Sequence, residues 1–539
     1  MCGIFGSINN AEPIAPHRSE SPDNSLWDTY IGLSRLEYRG YDSFGYAALK
    51  DGKVTVVKQL GSVDESAFHG ECEAVIGHVR WATNGEVTVE NAHPQMSDGF
   101  YVVHNGVIEN APSHTLDTRW LANLLELYEG DVTRIFNKIE GDNAFVFLNE
   151  ETKEVWCVAK GSKRLFITPN GYVSSDLEAL AGFDEKAWAL ENNYSTLSGE
   201  LFAMSPPNID IPAVREPTVK SGHKMLAEIK EQETLVSRRW PTIEHDVDII
   251  ATGSSLHAAM FGSYAIEKKK SIQIRCLHAS QVRYRSLGVD LLAISQSGET
   301  KDVINALKDK GDFTCITNNP HSTLYDMSSS PIKMDAGPEE AVAATKTFTM
   351  SCLKLCQSAG ISMNWGYHKI QSGIRDILNR TDEIIKIADR IMGYEHFLFL
   401  GDRQNYPIAL EGALKFKEVA YVHAEGMPSS EMKHGPIALV DHRVPSLFII
   451  TEGFSPETLS NIQEIKSRRG FVVVITHHAI ENNLLNKGAD IVFSCKDTGE
   501  QYSQSLVLNV VLQLLSYYIA VGRGINPDRP RNLAKCVTV

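Results

Sequence analysis

The chain has 539 residues, too many for one core, and a prior of roughly 150 residues per domain suggests three or four domains. Its 43% hydrophobic and 22% charged content is ordinary for a globular protein, while 67 acidic against 52 basic residues leave a net charge of −15. That balance argues against nucleic acid or an anionic membrane as the main partner, and no apolar stretch is expected to reach the roughly 18 residues that a membrane span needs.

The first residues show no basic flank ahead of an apolar run, so no secretory signal is expected. Nine cysteines are dispersed without a Cys-x-x-Cys pair. Cys352 and Cys356 lie one helical turn apart, with no His or Cys cluster beside them to complete a metal site. Reduced thiols and a cytoplasmic location follow as expectations, with no metal or other cofactor.

In chain order, short β-type runs come first, at Tyr46–Leu49, Val54–Val57, Ala74–His78, Phe100–His104 and Ala144–Leu148. Helical patterns interrupt them at Leu26–Leu36 and Thr118–Tyr128, the latter with Leu121, Leu124, Leu125 and Tyr128 on one face. Many strands with few helices predict sheets layered with helices. The polar, Pro-containing stretch Ser205–Lys220 reads as a linker. Beyond it, apolar runs alternate with longer helical segments: Val247–Ala251, Leu291–Ser295, Phe313–Thr317, Phe397–Gly401, Ser446–Thr451, Phe471–Thr476 and Ile491–Ser494. This alternation predicts parallel sheets with crossover helices. The pattern is also duplicated, since Asp248–Gly253 followed by Leu291–Ser297 matches Phe397–Gly401 followed by Ser446–Gly453. The expected architecture is α/β overall, a layered α+β N-terminal domain followed by two doubly wound parallel-sheet domains. Expected boundaries are 2–205, a linker and entry helix at 206–235, the doubly wound pair at 236–370 and 371–525, and a tail at 526–539.

Cys2 becomes a candidate nucleophile if Met1 is removed, because it then carries both a thiol and a free α-amine. Such an amine titrates near 7.7–8.0, so nucleophile and base share one residue. Arg80, after the Ala74–His78 run, suits the α-carboxylate of an amino acid because a guanidinium binds it bidentately. Asn105-Gly106 offers an amide and a backbone N–H to an oxyanion, although on its own Asn-Gly is more often a plain turn. Asp117, just before the predicted helix at Thr118, suits a substrate ammonium, or caps that helix.

In the second half, Thr252-Gly253-Ser254-Ser255 and Ser295-Gln296-Ser297-Gly298-Glu299-Thr300 each follow a predicted strand. Hydroxyl-rich turns at the carboxyl ends of parallel strands suit a phosphate monoester. No Gly-Lys-Ser/Thr triplet follows, so a nucleotide triphosphate is not implied. The second repeat has Asp402-Arg403-Gln404 at the equivalent place. Its helix around Ala409–Val419 puts Glu411, Lys415 and Glu418 on one face among small and apolar residues, where burial is expected to raise a carboxyl toward a useful general base. His434 sits in a predicted turn and suits proton transfer near neutral pH. The charged tail Pro530–Lys535 would pass as disorder.

The runs Met1–Gly6, Arg35–Ser43, His78–Glu86, Asn91–Pro94, His104–Asn110 and Asp117-Thr118 resemble the class II glutamine amidotransferases, the N-terminal nucleophile glutaminases. This resemblance implies Cys2 as nucleophile, Asn105 and Gly106 as oxyanion hole, Arg80, Thr83 and Asp117 as glutamine ligands, and Trp81 as an ammonia gate. The runs Leu292–Thr300, Ala409–Glu425, Glu431–Leu439 and Pro530–Thr538 resemble the paired sugar isomerase (SIS, flavodoxin-like) domains of the glutamine–fructose-6-phosphate aminotransferases. That implies Ser254, Ser255, Ser295, Gln296, Ser297, Thr300 and Val342 at the sugar phosphate, supported by Glu411 and Lys415. It implies Glu418 as the C1–C2 proton carrier, His434 in ring opening across a subunit boundary, and Lys535 as a Schiff-base amine in a tail over the sugar. The implied substrates are glutamine and fructose 6-phosphate, and the implied assembly is a homodimer or larger homo-oligomer. Asn84 stands where relatives usually have His, Ala344 where they have Ser, and the segment between Asn110 and Asp117 and the region before Leu33 are shortened. Other readings stay open here: a glutaminase joined to another sugar-phosphate isomerase or deaminase, a non-catalytic sugar-phosphate regulator, or an enzyme that depends on ammonia.

Overall fold

Alternating side chains along the early strands face different cores, as a period of two requires. Ile4, Ala47, Ile76, Val103, Ala144 and Val146 gather in one core. Their chain neighbours Phe5, Ala48 and Val75 pack with Leu33 and Leu36, while Val102, Phe145 and Phe147 pack with Leu121 and Leu125. In the computed structural model these patterns resolve into two compact units, Met1–Pro217 with Cys536–Val539, and Thr218–Lys535. The structure describes residues 2–8, 25–197, 207–214, 222–235, 242–288, 290–361, 363–452, 456–481 and 488–536; Met1 and the expected 205/206 boundary lie outside them.

The first unit holds strands β1 (Gly3–Ile8), β2 (Ser43–Lys50), β3 (Lys53–Leu60), β4 (Ala74–Arg80), β5 (Gln95–Ser97), β6 (Phe100–Gly106), β7 (Asn143–Asn149), β8 (Val155–Ile167), β9 (Tyr172–Ser174), β10 (Lys186–Thr196) and β11 (Ile209–Asp210). They form one sheet in the order β3-β2-β4-β1-β9-β8-β7-β6-β5, with β10 paired to β8 and β11 to β10. The shared core of β1, β4, β6 and β7 side chains means that the sheet curls back on itself. Helix Ser25–Leu36 covers the outside of one half and helix Asp117–Leu127 the outside of the other, so helix, sheet, sheet and helix are layered. Part of the expected linker is therefore sheet: Ala187 of β10 pairs with Ile209 of β11.

In the second unit, two five-stranded parallel sheets repeat one plan. The first contains β12 (Val247–Ala251), β13 (Ile274–His278), β14 (Asp290–Ser295), β15 (Thr314–Thr317) and β16 (Ser330–Lys333), in the order β13-β12-β14-β15-β16. The second contains β17 (His396–Gly401), β18 (His423–Met427), β19 (Ser446–Ile449), β20 (Val472–His477) and β21 (Ile491–Cys495), in the order β18-β17-β19-β20-β21. Strand direction reverses its progress between the first and third strand of each repeat, the point at which doubly wound sheets bind ligands. Helix Gly253–Lys270 follows β12, and helix Asn405–Ala420 follows β17. The expectation of no span-length apolar stretch is corrected at helix Gln501–Gly522, whose 22 residues are long and apolar enough to cross a bilayer. Of its most apolar window, 83% is buried inside the protein, which makes it a core helix.

Candidate active sites

The antiparallel register of β1 on β4 pairs Gly3 with Val79, which carries Cys2 to the end of β4. There the Trp81 N–H reaches the Cys2 sulfur at 3.4 Å, and the thiol lies 3.5 Å from the Trp81 carbonyl. Burial pushes the Cys2 thiol up, against the pull of the Trp81 N–H and the Arg80 guanidinium. Arg80 is no surface ion pair: it is buried, and donates to the carbonyls of Asn84 at 2.6 Å and Glu86 at 3.2 Å. Burial lowers its pKa, while the charges of Cys2, Asp42 and Asp117 oppose that shift. Asn84 thus contributes a main-chain oxygen that holds Arg80, whatever its side chain. Thr83 is exposed in the bend beyond Trp81, whose ring lies 6.4 Å from that of Tyr41.

Asn105 is buried at the end of β6, and its Oδ1 has no hydrogen-bond partner among the described residues. Gly106 has φ +142°, and a Cβ there would lie 2.4 Å from the Asp142 carbonyl, so the position demands glycine. Asp117 is the first residue of its helix rather than the residue before it, and Leu116 caps without a side-chain bond. Its carboxylate accepts from the N–H of Thr118 at 2.8 Å and of Ile108 at 3.4 Å, which ties the helix to the strand end that bears Asn105.

A buried histidine network lies behind this site, built from three histidines of the quoted runs to which no role was given. His93 Nδ1 lies 3.1 Å from His78 Nε2, which is 3.0 Å from the His104 carbonyl. His104 itself contacts Thr118 at 3.2 Å and Asn143 at 2.9 Å. Burial drives His78 down to about 3 and His93 well below its ordinary value, so both rings are neutral at pH 7. These rings join β4, which leads to Arg80, to β6, which leads to Asn105.

In the second unit, the switch point of the first sheet lies between β12 and β14. Ser254 and Ser255 stand in the first turn of helix Gly253–Lys270. Ser254 departs from an open phosphate turn, since its Oγ donates to Glu411 at 2.9 Å and accepts from Lys415 at 3.4 Å. The Ser295 turn is ordered internally. Ser295 Oγ lies 2.9 Å from Thr300 Oγ1 and accepts the Gly298 N–H, and Ser297 Oγ accepts the Glu299 N–H. Gln296 gives its carbonyl to the Asn318 N–H at 3.0 Å. Val342 and Ala344 are half-buried in the loop that leads to helix Lys346–Ser358.

Glu411, Lys415 and Glu418 share one helical face, as their spacing predicts, but the ladder is inside the protein. Lys415 Nζ lies 3.2 Å from Glu411 and 2.6 Å from Glu418. The expected upward shift fails at Glu411, the fully buried carboxyl: burial raises it, but Lys415, His257 and Ser254 outweigh burial and hold it below its usual range. Lys415 is raised, because Glu411 and Glu418 outweigh its burial. Sequence reasoning missed His257, whose Nδ1 is 2.8 Å from Glu411. Its position, three residues after Ser254 on one helix, was the available signal. His434 is exposed at the end of the 3₁₀ turn Glu431–His434, and none of the described residues hydrogen-bonds its ring. Lys535 is not in a disordered tail: its side chain is 4% exposed and its ammonium pairs with Glu339.

At the equivalent switch point of the second sheet, side chains bond to one another. Gln404 and Asn405 donate to Thr451 at 3.3 and 2.9 Å, Asp402 accepts the Ser429 N–H at 3.0 Å, and Arg403 pairs with Glu452 at 2.6 Å.

The profile of the SIS domain family matches residues 243–357 and 391–523. The chain is 34% identical to the glutamine–fructose-6-phosphate aminotransferase (isomerizing) of Aquifex aeolicus and 33% identical to that of Pyrococcus horikoshii, with 100% of both chains covered in each case. These alignments run over 616 and 618 positions, so the relatives carry segments that this chain lacks. Among solved structures, the C-terminal domain of glucosamine-fructose-6-phosphate aminotransferase from Francisella tularensis superposes with a TM-score of 0.54 at 31% identity, covering 58% of this chain and 100% of that one. Matched along its whole length by these relatives, the chain belongs to the glutamine–fructose-6-phosphate aminotransferase family.

Proposed function

We propose that this enzyme transfers the amide nitrogen of glutamine to fructose 6-phosphate and isomerises the product to glucosamine 6-phosphate, releasing glutamate. Full-length identity to enzymes of that name carries the reading. The first unit is the N-terminal nucleophile glutaminase, extended from the expected 2–205 to Pro217 so as to include β11; 236–370 and 371–525 are the working bounds of the two SIS domains, and 526–539 those of the tail.

After loss of Met1, the Cys2 sulfur attacks the glutamine carboxamide. Its proton passes to the α-amine, ammonia leaves, and water hydrolyses the thioester to glutamate. Asn105 and the Gly106 N–H stabilise the oxyanion, Arg80 and Thr83 take the α-carboxylate, Asp117 takes the ammonium, and Trp81 gates the ammonia. The proximity of Cys2, Arg80 and Asp117 supports these roles.

At the sugar site, Ser255, Ser295, Gln296, Ser297 and Thr300 hold the phosphate, Ser254 and Val342 complete the cradle, and His434 of a second copy assists ring opening. Lys535 condenses with the C2 ketone and loses water; ammonia then displaces the lysine. Glu418 takes a proton from C1 and returns one to C2. Lys415, clamped by Glu411, fixes Glu418 for this transfer, and their 2.6 Å contact supports that role. A homodimer or larger assembly follows from His434, whose exposed ring stands free for a partner. Nine free thiols support a cytoplasmic location.

Purified enzyme given glutamine and fructose 6-phosphate is expected to form glutamate and glucosamine 6-phosphate together. Cys2→Ala should abolish synthesis from glutamine and spare synthesis from ammonium. Failure of both nitrogen sources in the wild type would overturn the reading.

A further inference from the structure

Glu339 lies on the loop that carries Val342, and its side chain is fully buried. One carboxylate oxygen accepts the N–H groups of Thr345 at 2.9 Å and Thr347 at 3.1 Å. The other accepts the Thr347 hydroxyl at 2.7 Å and the Lys535 ammonium. Several donors converging on one buried carboxylate favour its charged form. Glu228, also buried, stands within electrostatic reach: its Oε1 accepts the N–H groups of Glu340 and Ala341, and its Oε2 has no partner among the described residues. Two buried carboxylates beside one cation cannot both stay ionised cheaply. Burial and the Glu339 charge push Glu228 up to about 8, whereas Lys535 and the Thr347 hydroxyl overcome burial and hold Glu339 at about 2. Glu228 keeps the proton, Glu339 keeps the charge, and the pocket is left with a single anion for a single lysine.

We propose that Glu339 is a positioning residue for the sugar reaction: its carboxylate draws the Lys535 ammonium out of water, holds it against the Val342 loop, and accepts its surplus proton as the nitrogen adds to the open-chain ketone. This inference rests on the reading of Lys535 as the amine that condenses with the sugar. A lysine on a flexible stem near the chain end has many conformers, and the ion pair selects the one that places its nitrogen. Gln at 339 keeps a carbonyl oxygen for the Thr345 and Thr347 N–H groups but removes the charge.

The test uses ammonium as nitrogen donor, so that Cys2 plays no part, in the full-length variants Glu339→Gln, Lys535→Ala and the double variant. Glu339→Gln is expected to lower kcat about tenfold, with KM for fructose 6-phosphate within about threefold. Borohydride reduction with fructose 6-phosphate should label Lys535 about tenfold more slowly in Glu339→Gln than in the wild type. In the Lys535→Ala background, Glu339→Gln should cause no further loss, because its whole effect passes through the lysine. Labelling at the wild-type rate, or losses that multiply in the double variant, would overturn the proposal. Lys535→Ala with undiminished synthesis would overturn the reading of Lys535 and the proposal with it. Should Glu339→Gln not fold, Glu339→Asp serves instead: its retracted carboxylate should label at a reduced rate, and labelling at the wild-type rate overturns the proposal.

Discussion

Lys415 stands between the fully buried Glu411 and the partly buried Glu418, so its charge is structural. Lys415→Met keeps the volume but strands the fully buried Glu411, a change that costs about 3–5 kcal/mol. Urea unfolding should show that loss, and synthesis from ammonium should vanish with it; an unfolding midpoint equal to the wild type would refute the buried ladder. Glu411→Gln leaves Lys415 paired with Glu418, and should cost less than Lys415→Met in the same assay. The shared face of Glu411, Lys415 and Glu418 was legible from spacing alone. The depressed state of Glu411 was not, because burial opposes it and Lys415 is joined in overcoming burial by His257 and Ser254 from another helix, a meeting that no local pattern reports.

At the scale of elements, the interior strands of the second unit were legible, as was its edge strand β21, whereas the interior strands β1, β8 and β9 of the first unit were not anticipated. Val247–Ala251 and Phe397–Gly401 are buried from end to end or nearly so, and their apolar runs announced them. The edge strands β13, β16 and β18 escaped notice because they bury only some positions, and Ser330–Lys333 reads as a polar loop. The duplication was visible because the first and third strands of each repeat, which flank the switch point, carry the strongest apolar signal. The end of β6 offers a test at this scale. Gly106→Ala drives a methyl toward the Asp142 carbonyl in a backbone conformation that alanine resists, so the strand end must move. Losing one oxyanion donor costs about 10²–10³ in kcat, so glutamine-driven synthesis should fall by that order while ammonium-driven synthesis holds. Equal losses with both donors would show that the strand end serves the fold and not the glutaminase.

Across the whole molecule, buried ionisable groups set opposite pH limits on the two units. Glu228 keeps a proton up to about 8 in the fold, whereas its ordinary value is 4.5. Its contribution to stability is full below pH 4.5 and is lost as pH rises through 8, because the unfolded chain releases that proton first. Glu228→Gln should therefore melt higher than the wild type, with a gap that widens from pH 4.5 to 8. His78 behaves in the opposite sense. Its ordinary value is 6.5 and its folded value about 3, so stability is present above pH 6.5 and is lost as pH falls toward 3. Scanning calorimetry should find this acid loss in the transition of the first unit, and it should be shallower in His78→Gln; an unchanged slope would place the acid sensitivity elsewhere.

The side-chain bonds across the switch point of the second sheet bear on how many sugars one chain is expected to hold. Gln404 and Asn405 hydrogen-bond Thr451 there, and Arg403 pairs with Glu452 in the open. On the proposed assignment the two copies divide the labour, one supplying the cradle and the other the helix with Glu411, Lys415 and Glu418. Calorimetric titration with a sugar phosphate should saturate at one equivalent per chain, although the fold that binds it occurs twice.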